Sequence, residues 1–341
     1  MTRGARGAHH GWRGNTTIVS RRRVLGLALL SCAGAIAPAR AQTERVRRIG
    51  ILVPATNSAG MIPEFSRRLA ALGWIEGRNL AIELRNAQTQ LERLPALAKE
   101  LVDLKADLII SVTTPATRIA IAAAGSIPIV FTWVGDPVAA KFVASLARPG
   151  GTVTGVSQVQ ADLAAKQLEF LRAVVPGLAR VAQLYNPKYA GGPMNAKYVE
   201  AAARAGISLV RVTVTSAADL EPAFAEAARE KASAMLVPPE PLYAEQGKRI
   251  VQLAKQFRMA SAGQSREYAA AGGLISYGAN YADGFMRMAP YVDKILRGAR
   301  PADLPVQLAD RFELVVNRKT AAELGLTIPQ SVLLQATEVI E

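Results

Sequence analysis

Short apolar runs alternate with amphipathic segments along most of the chain, and this alternation leaves few folds open. Arg48–Pro54 (RIGILVP) reads as a strand, followed by Phe65, Leu69 and Leu72 at helical spacing and a closing Gly73. Leu80–Arg85 reads as the next strand, and Leu94, Leu97, Leu101 and Leu104 then share one face of a helix. The pattern repeats as strand Asp107–Val112 with helix Pro115–Ala124, then strand Ile127–Trp133 with helix Val138–Leu146. After Thr154–Ser157 it begins again. Helices at Asp162–Val175, Pro193–Ala205, Ala218–Lys231 and Pro241–Phe257 alternate with strands at Arg180–Tyr185, Ile207–Val214, Ala234–Pro238 and Met259–Ala262. A tail follows: strand Gly272–Gly278, helix Asp283–Arg297, strand Phe312–Val316 and a short helix Lys319–Leu324. Apolar strands separated by helices belong in parallel sheets covered on both faces. The expected fold class is α/β, with two doubly wound, Rossmann-like lobes of similar size. No Ser/Gly-rich linker separates them, which favours a chain crossing between lobes on several strands.

The first 41 residues read as an export signal. Ser20-Arg21-Arg22-Arg23-Val24-Leu25 leads into an apolar stretch to Ala37, and Ala39-Arg40-Ala41 offers a cleavage site. The Arg-Arg order resembles a twin-arginine signal. The apolar stretch is short against the roughly 20 residues that span a bilayer. A lipoprotein route through Leu29-Leu30-Ser31-Cys32 is an alternative. The expected location is the periplasm.

Removing those residues changes the available chemistry. Seven arginines leave and no acid does, so 34 basic residues face 27 acidic ones, a net charge of +7. His9, His10 and Cys32 leave too, and they are the chain's full complement of His and Cys. The remaining chain has no imidazole base, no Ser-His-Asp triad and no thiolate. It also lacks zinc-thiolate and disulfide chemistry. The charge is spread without interleaved aromatics, so nucleic acid is not an expected partner.

Ligands of an open parallel sheet bind beyond the carboxyl ends of its strands. That rule selects Pro54–Ser58, Thr113-Thr114-Pro115, Val134–Pro137, Asn186–Tyr189, Pro238–Pro241 and Tyr277–Asp283. Thr, Asp or Asn before Pro is the ordinary composition of a helix N-terminus, where the side chain caps and Pro takes the first position. The same N-terminus also offers free N–H groups to a carboxylate. For Thr113 and Thr114 both readings stand: one hydroxyl can cap while the other faces a cleft. Trp133 ends a strand and is either core or the wall of a pocket. No dinucleotide fingerprint, P-loop or Gly-x-Ser-x-Gly elbow is present. Asp136, Glu240 and Asp283 show no spacing that makes a glycosidase-like carboxylate pair. No cofactor or metal is expected, and the chain is not read as an enzyme.

Several ordered motifs resemble the ABC-transporter substrate-binding family often labelled tryptophan/tyrosine uptake proteins. They are Gly50-Ile-Leu, Pro128-Ile-Val-Phe131, Asp136-Pro137-Val138, Arg148–Gly155 (RPGGTVTG), Gly272–Gly278 (GGLISYG), Phe312–Asn317 (FELVVN) and Leu324–Pro329 (LGLTIP). The resemblance implies a type I periplasmic-binding-protein fold, with two lobes, a cleft and a three-segment hinge near Val153–Val156, Ser276–Gly278 and Ala309–Phe312. It divides the chain into 42–154 plus 278–308 as lobe 1 and 155–277 plus 309–341 as lobe 2. By the same resemblance Asn57, Ser58, Thr113, Thr114 and Asp136 face the cleft from lobe 1, with Asn186, Glu240 and Tyr277 opposite. A ligand carboxylate would meet Thr113, Thr114 and the N–H groups of Ala116 and Thr117; an ammonium would meet Asp136 or Glu240. The implied function is an exported solute-binding protein that closes on an amino acid or similar small carboxylate. It would deliver this ligand, as a monomer, to an ABC permease in the inner membrane. An exported sensor or adaptor of the same fold, or an enzyme working without His or Cys, are the alternatives. The stretch Asn186–Gly192 (NPKYAGG) and Val134-Gly135 depart from the family's pattern, so the motifs do not fix the ligand.

Overall fold

The strands form where β-branched and aliphatic runs can be buried on both sides, and they sort into two sheets. The computed structural model of the chain describes Gly11 and residues 45–55, 60–157, 163–187 and 193–341, with the side chains of 193–196 excepted. Apart from Gly11, the expected export signal at 1–41 lies outside the described residues, as do Asn57 and Ser58. In chain order the strands of the first half are β1 (Arg47–Val53), β2 (Leu80–Asn86), β3 (Leu108–Val112), β4 (Ile129–Val134) and β5 (Val153–Ser157). Those of the second half are β6 (Arg180–Tyr185), β7 (Ser208–Thr213), β8 (Ala234–Leu236), β9 (Ala260–Gly263) and β10 (Ile275–Ala279), followed by β11 (Gln307–Leu308), β12 (Phe312–Asn317) and β13 (Glu338–Ile340). The first sheet has the order β11-β5-β4-β3-β1-β2 and the second β13-β12-β10-β9-β8-β6-β7. Every pairing is parallel except β10 with β12.

Alternation along the strands feeds a core on each face. Ile49, Ile51 and Val53 of β1 join Phe65 and Leu69 on one face of the first sheet; Leu52 joins Leu94, Leu97, Ala98 and Leu101 on the other. Helix Leu94–Asp103 is amphipathic for that reason, with those three leucines and one alanine buried at i, i+3, i+4 and i+7. The second sheet is built the same way, with Phe170, Tyr198 and Leu236 on one face and Phe224, Met235 and Tyr243 on the other.

Some expected elements differ. The stretch Val138–Leu146 is a single turn instead of a helix. Phe142 N bonds Pro137 O at 2.8 Å and Lys141 N bonds Val138 O at 2.9 Å, around Lys141 at φ 60. This Schellman-type closure about a left-handed residue stops the helix after its first turn. The segment Pro241–Phe257 is two helices, Pro241–Glu245 and Gly247–Gln256. Asp283–Arg297 likewise resolves into Tyr281–Met286 and Ala289–Leu296. β11 and β13, with two and three residues, are too short for periodicity to mark.

β5 belongs to the first sheet through Ser157, and β10 to the second through Ala279. The chain therefore passes between the sheets between Ser157 and Leu163, at Asn280, and between Leu308 and Phe312. Residues Arg45–Glu341 form one compact unit.

Within both sheets the order runs β2-β1-β3-β4-β5 and β7-β6-β8-β9-β10, so the direction of winding reverses between β1 and β3, and again between β6 and β8. These are the topological switch points where open α/β sheets leave a crevice. β4 and β5 approach closely because Gly155 has no side chain: a Cβ there would lie 2.1 Å from the Phe131 carbonyl oxygen, and the residue sits at φ +154. Gly155→Ala is expected to cost more than about 3 kcal/mol of stability. Chemical denaturation measures this, and a variant as stable as the parent would show that the strands can part at no cost.

Candidate functional site

β3 is buried throughout and runs into Thr113, which takes φ 79 and ψ 159. Glycine alone ordinarily occupies that region, and a β-branched residue there is strained by about 1–3 kcal/mol. Bonds on both sides hold it. Thr113 N–H donates to Thr132 O at 2.9 Å, continuing the ladder to β4, while the Thr113 carbonyl accepts from Thr117 N at 3.0 Å and Thr117 Oγ1 at 2.8 Å. Thr117 Oγ1 also lies 2.8 Å from Ser111 Oγ. The Thr117 side chain is thus a tether inside the first lobe, and its N–H is committed to Thr113.

Thr113 occupies the N-cap position of helix Thr114–Ala124 but makes no side-chain cap bond. Its Oγ1 is buried and has no partner among the described residues, as is the case for Oγ1 of Thr132 on the neighbouring strand. A buried hydroxyl left without a bond costs about 1–3 kcal/mol. The first turn of a helix leaves N–H groups without intrahelical partners. Pro115 has none and Thr117 is taken, so Thr114 and Ala116 supply those donors.

Asp136 behaves differently. Its Oδ1 accepts from Val138 N at 3.1 Å and Ala139 N at 2.9 Å, so it caps the single turn described above. It follows β4, one strand away from the switch point.

On the second sheet the switch point falls between the loops after β6 and β8, which carry Asn186 and Glu240. Both are buried. Asn186 hydrogen-bonds Glu240, yet Glu240 Oε2 is buried without a partner among the described residues. Glu240 precedes helix Pro241–Glu245 without capping it. Burial pushes its carboxyl up to about 8, and the Asn186 bond only partly offsets this. Tyr243, one turn on, is raised by burial first and by the charge of Glu240 next. An acid is thus held largely uncharged at neutral pH beside a switch point, with one buried oxygen lacking a partner among the described residues.

The chain matches known proteins along most of its length. The family model described as ABC transporter substrate binding protein matches residues 61–340. The chain belongs to that family. The "Tyrosine-binding protein" of Clostridioides difficile (strain R20291) is 25% identical over 264 residues, covering 77% of this chain and 75% of that protein. Among solved structures, a conserved domain protein from Vibrio cholerae superposes with a TM-score of 0.81 at 29% identity, over 86% of this chain and 100% of that one. The ABC domain from Streptococcus pneumoniae, solved in complex with L-Trp, gives 0.79 at 27% identity with the same coverage. The two sheets thus have the architecture of type I periplasmic binding proteins.

In this substrate-binding protein Tyr277 and Trp133 are engaged in packing of their own. The Tyr277 ring packs edge-on to Phe170 at 5.3 Å and stacks on Phe312 at 6.2 Å. Its carbonyl accepts from Gln167 Nε2 at 3.0 Å. Trp133, at φ 58 on a bulge of β4, donates from Nε1 to Tyr281 O at 3.1 Å and packs against Tyr281 at 4.8 Å. Sequence reasoning passed over Thr132 and a buried network in which Tyr198 Oη lies 3.2 Å from Gln167 Oε1 and accepts from Gln264 Nε2 at 2.8 Å. A polar residue within an apolar strand marks Thr132, but nothing in spacing marks a network assembled from three elements.

Two expectations follow. Thr113→Gly and Thr113→Ala both delete the hydroxyl, but only glycine relieves the backbone. Thr113→Gly should therefore be about 1 kcal/mol more stable than Thr113→Ala, and an alanine variant that melts higher would refute the strain. For Glu240 the folded state keeps a proton up to about 8 while the unfolded chain releases it near the ordinary glutamate value of 4.5. Its stabilising contribution is complete below 4.5 and is lost as pH rises through about 8. Relative to Glu240→Gln, the ligand-free protein should lose about 1.4 kcal/mol per pH unit within that window. Parallel denaturation curves for the two proteins across the window would contradict it.

Proposed function

We propose that this chain is an exported, periplasmic solute-binding protein that takes an amino acid, or a similar small carboxylate with a cationic group, to an ABC permease of the inner membrane. It would act as a monomer. The observation that carries the reading is the buried carboxyl of Glu240, with Oε2 unpartnered among the described residues, at one switch point, matched by the Thr113 and Thr114 hydroxyls and the Thr114 and Ala116 N–H groups at the other. A cation pairs with the first as its proton leaves to solvent, and a carboxylate accepts from the second. A solute bearing both groups would touch both lobes together only when they approach, and would thereby favour a closed arrangement. The tyrosine-binding and L-Trp-bound relatives support an amino acid. Asp136, already a cap, is the weaker partner for the ammonium. Asn57 and Ser58, in the loop after β1, are proposed as further contacts.

Calorimetry against a panel of amino acids that includes L-tryptophan and L-tyrosine, alongside their des-amino and ester analogues, tests this. At least one amino acid should bind, and its des-amino and ester analogues should bind far more weakly. Glu240→Gln should lower affinity on the order of 100-fold or more, the cost of removing one partner of a buried pair. At neutral pH, binding should release protons, read as a heat that changes with the ionisation enthalpy of the buffer. Saturable binding that ignores both the amine and Glu240 would overturn the assignment.

A further inference from the structure

Asn280 is the sole residue between β10, which belongs to the second sheet, and helix Tyr281–Met286, which packs on the first. Phe285 of that helix meets Phe65 at 5.4 Å within the first sheet's core. The chain thus changes lobes within one residue, and that residue is bonded in both directions. Its Oδ1 accepts from Asp283 N at 2.8 Å and caps the first-lobe helix. Its Nδ2 donates to Glu313 Oε1 at 2.7 Å, on β12 of the second sheet. Its backbone N–H donates to Arg311 O at 3.2 Å, in the next crossing.

A second set of contacts joins the same two crossings. Arg287 pairs with Asp283 at 2.7 Å and with Asp310, and reaches Leu308 O at 3.5 Å. The carboxylate of Asp310 is well exposed, and ion pairs of that kind contribute about 0–1 kcal/mol. The Asn280–Glu313 bond is shielded and charge-assisted, which makes it roughly twice as strong as a neutral bond. It is the contact in this cluster best placed to hold an angle.

We propose that Asn280 is the positioning residue of the hinge: one amide, with its oxygen fixed to lobe 1 and its nitrogen to lobe 2, sets the resting angle between the lobes. It does so without touching a ligand. A rotation that separates Asn280 from Glu313 leaves a shielded carboxylate without its donor. A rotation that keeps the bond carries the second and third crossings together.

Reversing the polarity of the bond tests this. Asp caps a helix as well as Asn does, so Asn280→Asp preserves the cap on Asp283 N while setting carboxylate against carboxylate at Glu313. Glu313→Gln alone still accepts from Asn280. In the double variant Asn280→Asp/Glu313→Gln the glutamine amide donates to the new carboxylate and the bond is restored with its direction reversed. Spin labels at Lys99→Cys and Glu226→Cys, one exposed helical position on each lobe, in the full chain carrying Cys32→Ser, report the inter-lobe distance without any ligand. We expect Asn280→Asp to displace or broaden the distance distribution by more than about 2 Å, Glu313→Gln to leave it unchanged, and the double variant to return it. A wild-type distribution for Asn280→Asp would reduce Asn280 to a helix cap and overturn the proposal. A displaced distribution in the double variant would do the same. Should Asn280→Asp fail to fold alone, the double variant still decides between the two.

Discussion

A parallel strand pair cannot be closed by a tight turn; the chain must return over the face of the sheet before the next strand begins. In this protein that requirement is met mostly by helices, and it gathers the carboxyl ends of the parallel strands of each sheet along one edge. The β2-β1-β3-β4-β5 order, repeated as β7-β6-β8-β9-β10, then opens each edge at one place. Thr113 and Glu240 stand at those two openings, the one after β3 and the other after β8. Neither location depends on the details of their side chains.

What the side chains add is incompleteness. Around Thr113 the backbone is held in a conformation suited to glycine; among the described residues its buried hydroxyl is unbonded, and at Glu240 a buried acid has an oxygen spare. Each lowers the stability of the ligand-free protein, and each is retained by well-made bonds nearby: Ser111–Thr117–Thr113 on one lobe, Asn186 on the other. Sites of this kind are where local rules of folding are expected to be broken. Asp136 shows the contrast, since its carboxylate is satisfied within its own turn.

Most of the architecture was legible in the sequence because burial on two faces forces apolar strands, and burial on one forces amphipathic helices. The switch points themselves depend on strand order, which no local pattern carries. The one-turn segment after Asp136 looked helical because its apolar spacing is sound, whereas the left-handed Lys141 that ends it leaves no compositional mark. In Thr113-Thr114-Pro115 the composition suits capping and binding alike, and Thr113 does not cap through its side chain. Glu240 was one of two acids considered; its burial separates it from Asp136, and burial of a loop residue is set by elements distant in sequence. The Asn280–Glu313 bond spans 33 residues and depends on an antiparallel pairing, so it too was invisible from spacing.

The bulge at Trp133 has an optical consequence. Its indole is bonded to the carbonyl of Tyr281 and packed on that ring, immediately beyond Asn280. Trp74 is bonded instead to Asp293 at 2.9 Å and lies under Arg297, within the first lobe. Both indoles are thus held by first-lobe partners, and a change in Trp133 emission reports loss of its bond to Tyr281 O beside the crossing rather than the angle between the lobes.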